Sequence, residues 1–130
     1  MTLRNVMLID DEEADNFLHG LVLRESGTVN EVIDCSSAID ALVYLKRPEG
    51  HKIDVIFLDI NMPLMNGFEF LEEYAALPMP CRARAVVVML TTSLRPEDQK
   101  RARERGLVAD FLPKPLTAKN VERVFSALAG

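Results

Sequence analysis

The stretch Val6-Met7-Leu8-Ile9-Asp10-Asp11-Glu12-Glu13 decides the fold. An apolar run stops abruptly at a run of acids, and a helical pattern begins just after. Short apolar runs bounded by polar residues suit strands buried on both faces, as in a parallel sheet. The same unit recurs down the chain. Val29 to Cys35 forms a second run, alternating enough to suit an edge. Val55-Ile56-Phe57-Leu58 is a third, Ala85 to Leu90 a fourth and Phe111-Leu112 a short fifth.

The intervening stretches carry helical spacing. Ala14, Phe17, Leu18, Leu21 and Val22 fall at i, i+3, i+4, i+7 and i+8, which predicts a first helix with that stripe on the core. Ala38, Ala41, Leu42 and Leu45 repeat the pattern, as do Val121, Val124, Phe125 and Leu128; Phe70, Leu71, Tyr74 and Leu77 fit more loosely. Ser36 or Ser37, Asn66 and Thr117 are N-cap candidates, and Gly27 and Gly106 are helix stops. The order is (βα)5. Such alternation predicts an α/β, doubly wound, open parallel sheet with the flavodoxin-like strand order 2-1-3-4-5. The chain is too short for an eight-fold barrel.

Composition narrows the classes. The chain has 130 residues, 48% of them hydrophobic, and suits one domain spanning residues 1–130 with a single core. Its 20 acidic and 15 basic residues give a net charge of -5. The acids crowd into the first two thirds and the bases into the last third, which argues against nucleic-acid binding through overall charge. No apolar run approaches ~18 residues, so no membrane span is expected, and the start lacks the charged and apolar regions of a signal peptide. Cys35 and Cys81 form no CxxC and read as reduced thiols, consistent with a cytoplasmic location. His19 and His51 lie in unrelated segments and are expected to be incidental, His19 at the surface.

In a doubly wound sheet, function lies beyond the carboxyl ends of the strands. There the predicted strands deliver Asp10-Asp11, Asp59, Thr91-Thr92-Ser93 and Lys114. Two carboxylates ~4 Å apart repel by about 4 kcal/mol at an effective dielectric of ~20. Either one stays protonated or a cation neutralises them. All-oxygen ligands with room for water and phosphate favour Mg²⁺, with Mn²⁺ possible. Asp10-Asp11 alone could serve as a helix cap. Asp59 is harder to assign to structure, because a buried unpaired acid after four apolar residues is costly.

At these residues the sequence resembles the receiver domain of two-component response regulators. Leu8-Ile9-Asp10-Asp11-Glu12, Leu58-Asp59-Ile60-Asn61-Met62-Pro63 through Asn66-Gly67, Thr91 and Lys114-Pro115 match that family's motifs in order and spacing. The resemblance implies a phosphorylation switch. Asp59 would accept a phosphoryl group from a phosphohistidine on a histidine kinase or phosphotransfer protein. Asp10, Asp11 or both would position Mg²⁺, with Asp59 and the backbone carbonyl of Asn61 completing the ligands. Thr91 would be the switch hydroxyl and Lys114 the cation that pairs with the phosphoryl group, with a cis Lys114-Pro115 bond. Phe111 stands where the family more often has Tyr or His. Asn61 and Ser93 stand at the positions that bear on phosphoryl lifetime.

The last predicted helix, Thr117 to Leu128, closes near Gly130 with no effector domain after it, so a stand-alone regulator is expected, its output read from its own surface. The Lys/Arg-rich helix four with strand five and helix five is the candidate output face, and helix four alone otherwise reads as a solvated helix. Arg82 and Arg84 add to its basic character. Asp15, Asn16 and His19 could meet a docked phosphotransfer domain. A Mg²⁺-dependent phosphohydrolase with an Asp nucleophile is the alternative, but such enzymes usually carry a second acid where this chain has Asn61. A flavin- or nucleotide-binding module would need a Gly-rich phosphate loop after strand one, and acids stand there instead.

Overall fold

The computed structural model describes residues 3–83, 86–92 and 95–129. Arg84, Ala85 and Ser93, named above, lie outside the described residues. Five strands alternate with five helices: β1 (Arg4–Ile9), α1 (Glu13–Glu25), β2 (Val29–Cys35), α2 (Ala38–Leu45), β3 (Val55–Leu58), α3 (Gly67–Ala75), β4 (Val86–Thr91), α4 (Pro96–Arg105), β5 (Val108–Pro113) and α5 (Ala118–Ala129). A short 3-10 turn, Met79–Cys81, precedes β4. All strand pairs are parallel, in the order β2-β1-β3-β4-β5. The sequence expectation of order 2-1-3-4-5 is met.

The period of two along each strand sends alternate side chains to two cores. Met7, Ile9, Ile56, Leu58, Val87 and Met89 face α2, α3 and α4. Val6, Leu8, Val55, Phe57, Val88 and Leu90 face α5 and Leu23 of α1. Both faces of the central strands are therefore dry, which explains their unbroken apolar runs.

Most predicted boundaries hold. The Ser37 side chain accepts from the Asp40 N–H at the start of α2, and Asn66 forms a reciprocal capping box with Glu69 on α3. Thr117 Oγ1 accepts from the Asn120 N–H at 3.1 Å. Gly106 closes α4 with φ 71°. The fifth strand is longer than the two residues its apolar run suggests, because pairing with β4 recruits its polar members.

Helix α1 departs from expectation. Most of its predicted apolar stripe points outward: Phe17 is 61% exposed, Leu18 54% and Leu21 39%, and Ala14 is also exposed, while Val22 alone of the stripe is half-buried and packs on the core as expected. The residues turned inward are Asn16, His19, Gly20 and Leu23. His19, expected at the surface, is buried. The physical reason lies at the carboxyl end of β1. There the inner face of α1 meets carboxylates and backbone carbonyls, and polar side chains can satisfy these where leucines could not.

Candidate functional site

The acids sit where the strand ladder runs one step past its last assigned residue. The Asp10 N–H donates to the Cys35 carbonyl at 3.1 Å, and the Asp59 N–H donates to the Ile9 carbonyl at 3.0 Å. The sheet's own hydrogen bonds therefore fix both carboxylates at its carboxyl edge. Asp10 and Asp59 are buried, while Asp11 is half-buried on the turn into α1. Carboxylate oxygens of Asp10, Asp11 and Asp59 lie within 4.8 Å of one another.

Asp10 also shapes the turn, its Oδ1 accepting the Glu12 N–H at 2.9 Å. This is part of the local capping role considered for Asp10-Asp11. Glu12 itself stands at the N-cap and makes no side-chain capping bond.

Lys114 closes the site from just beyond the end of β5. Its N–H donates to the Thr91 carbonyl at 2.8 Å, which seats the lysine beside the end of β4. The Lys114-Pro115 peptide bond is cis. The ammonium reaches Asp10 Oδ2 at 2.5 Å, Asp15 Oδ2 at 2.9 Å and Asp59 Oδ1 at 3.4 Å. Thr91 is fully buried. Asn61 is exposed two residues beyond Asp59, and Phe111 is half-buried against the α2–α4 side of the core, in register with Met89 of β4.

Burial pushes the Asp59 carboxyl up to about 6, helped by the neighbouring Asp10 charge and opposed by Lys114. Burial works against the charge on Lys114, yet its hydrogen bonds to Asp10 and Asp15 and the Asp59 charge hold its pKa above the ordinary lysine value. One ammonium thus faces more negative charge than it can neutralise. The donor set is all oxygen and partly open, which fits a hard divalent cation.

The loop after β3 is built for close approach. A methyl group on Gly67 would stand 2.5 Å from the Asp59 carbonyl oxygen and 3.0 Å from Ile60 Cα. Only glycine lets α3 begin so near Asp59. Its N–H donates to the Ile60 carbonyl at 2.8 Å. Leu64 sits at φ 69° in a tight turn closed by the Met65 N–H and the Pro63 carbonyl at 2.8 Å. A leucine in that region is strained, and Leu64 is also 91% exposed.

Three α1 residues that the sequence suggested for a docking surface, Asp15, Asn16 and His19, instead adjoin the site, with Asn16 and His19 buried. Asp15 binds Lys114, as described. Asn16 Nδ2 donates to the Asp10 carbonyl at 3.0 Å and to the Cys35 carbonyl at 3.4 Å, so it ties α1 to the ends of β1 and β2. Asn16 Oδ1 is buried without a hydrogen-bond partner among the described residues. A cavity of about 10 Å³ lies there, lined by Asn16, His19, Asp10 and Asp59. Burial lowers the His19 pKa, which favours a neutral ring. The only available signal was polarity on the wrong face of the helical wheel. His51, in contrast, is a structural clip: it accepts the Ile53 N–H at Nδ1, 3.0 Å, so Nε2 carries the proton toward the Cys81 carbonyl, also at 3.0 Å.

Residues 6–125 match the family described as Response regulator receiver domain. The chain belongs to that family. The receiver is 34% identical over 124 residues to a two-component response regulator of Oryza sativa subsp. japonica, an alignment covering 92% of this chain and 52% of that protein. It is 37% identical over 114 residues to a protein-glutamate methylesterase/protein-glutamine glutaminase of Rhodopseudomonas palustris, covering 85% of this chain and 28% of that one. The chain thus spans about half, or less, of these curated relatives. Among solved structures, a two component response regulator from Cytophaga hutchinsonii superposes with TM-score 0.91 at 30% identity, covering 99% of this chain and 98% of the other. A response regulator receiver protein from Dyadobacter fermentans gives 0.84 at 30% identity, with 95% and 96% covered. The receiver is a phosphorylation-activated signalling switch. Among the described residues, no helix is long and apolar enough to cross a membrane.

Proposed function

We propose that the receiver takes a phosphoryl group onto Asp59 from a phosphohistidine on a kinase or phosphotransfer protein, and works in the cytoplasm. The observation that carries this reading is the convergence of the Asp10, Asp11 and Asp59 carboxylates and the Lys114 ammonium at one strand edge. A carboxylate oxygen of Asp59 attacks phosphorus, the P–N bond breaks, and imidazole departs with its electron pair. Such transfer is mostly positioning and charge stabilisation. Lys114 supplies a fixed positive charge beside Asp59 from the start.

Asp10, Asp11 and Asp59, with the Asn61 carbonyl, are the residues that would hold Mg²⁺. When bound, the ion offsets the negative charge of the cluster and of the transferred group. Thr91, at the end of β4, is the hydroxyl that would close on the phosphoryl oxygens. Phe111 would follow by repacking alone, since a phenyl ring has no hydroxyl to bond. The α4–β5–α5 face is the proposed output surface. Part of its basic character already serves the fold: Arg101 stacks on Phe68 at 4.2 Å and Arg105 pairs with Glu72 at 3.0 Å, both on α3. The exposed Phe17, Leu18 and Leu21 stripe, on the helix that begins at the site, is the proposed landing surface for the phosphodonor protein.

The test is intact mass after incubation with acetyl phosphate and Mg²⁺. A single phosphate adduct that disappears in Asp59→Asn supports the reading. No adduct, with steady hydrolysis of varied phosphoesters, overturns it.

A further inference from the structure

We propose that Asp15 is a positioning residue that holds the Lys114 ammonium in the unphosphorylated receiver and competes with the incoming phosphoryl group for it. The inference rests on the reading of Asp59 as acceptor and Lys114 as its cation. An ammonium has three N–H groups, and three carboxylates surround this one, at 2.5 Å for Asp10, 2.9 Å for Asp15 and 3.4 Å for Asp59. Two of these contacts are short and the one toward Asp59 is long, so the ammonium can close on a phosphoryl oxygen at Asp59 only by loosening its hold on Asp10 or Asp15.

The three are not equally able to yield. The Asp59 side chain carries the phosphoryl group, so its contact is replaced in place. The Asp10 side chain is only 5% exposed and is tied on its other oxygen by the Glu12 N–H. The Asp15 side chain is 34% exposed and has water to turn to. Asp15 is therefore the partner that gives way. Its position is no accident of a mobile surface residue, because the adjacent Asn16 pins α1 to the Asp10 and Cys35 carbonyls. Asp15 also lies outside the set of carboxylates that could hold a metal together, which comprises Asp10, Asp11 and Asp59. Its influence runs through Lys114.

The experiment measures the rate of adduct formation with acetyl phosphate at saturating Mg²⁺ and low salt. It compares wild type, Asp15→Asn, Lys114→Ala and the double variant, with Asp15→Ser as a second removal of the charge. Thermal midpoints check folding. Asp15→Asn should react about three- to tenfold faster, the scale of one partly exposed charge-assisted contact. The acceleration should shrink at high salt. It should vanish when Lys114 is alanine, and Asp15→Glu should return the rate toward wild type. An Asp15→Asn protein that reacts no faster than wild type overturns the inference. So does an acceleration that persists without Lys114, since Asp15 would then act on the incoming anion directly. A wild-type receiver that takes no phosphate at all fails at the earlier step, the assignment of Asp59.

Discussion

Asp59 stores a conflict between burial and charge. Its carboxyl titrates near 6 in the fold and near 3.8 when unfolded, so ionising it above pH 6 opposes folding. The linkage has a definite sign. Without metal, the native state loses stability relative to the unfolded chain as pH rises through the window between those values, by about 3 kcal/mol for a shift of this size. Asp59→Asn in a chelating buffer should therefore stabilise the receiver by about 2–3 kcal/mol at pH 7.5 and by progressively less toward pH 4, checked by urea unfolding across pH. Gly67 sets a second residue-scale limit. Gly67→Ala should cost about 1–3 kcal/mol and slow phosphorylation, because the new methyl must displace the Asp59 backbone; thermal midpoints and adduct rates check both halves. The sequence made Asp10, Asp11, Asp59 and Lys114 legible through their places at strand ends. It suggested Asp15 only for a docking surface and did not reveal its bond to Lys114, because a contact between a helix and a strand end some hundred residues away leaves no local spacing.

Helix α1 shows where pattern reading fails at the scale of an element. Apolar periodicity reports that a helix has two unlike faces, and the usual inference is that the apolar one is buried. Here the inner face meets a polar sheet edge, so Asn16 and His19 go in and Phe17, Leu18 and Leu21 go out. The caps of α2, α3 and α5 were legible because a cap is a local bond between near neighbours. If the outer stripe of α1 receives a phosphodonor protein, Phe17→Glu with Leu21→Glu should separate two rates. Transfer from a phosphorylated histidine protein should fall by about tenfold or more, while acetyl phosphate labelling and the thermal midpoint stay near wild type. Equal losses with both donors would place the effect inside the site.

The whole molecule follows from the alternation of strands and helices, which is why the strand order was legible in the sequence. Right-handed crossovers and two-sided burial leave few arrangements for five such units. The sheet brings together groups from both the acid-rich and the base-rich parts of the sequence, as Lys114 does beside Asp10. Concentrated negative charge at one edge predicts a global response to cations. Millimolar Mg²⁺ should raise the thermal midpoint by ligand linkage, and Asp10→Asn should remove most of that rise, as scanning calorimetry with and without chelator would show. The inverted α1 carries one more consequence. Leu23 is the only apolar side chain it fully buries among the described residues, with Val22 half-buried beside it, so the helix shares little of the cooperative core. Its amides should exchange with deuterium by local opening, well before those of β1 and β3, and their protection should report directly whether a partner has covered its outer face.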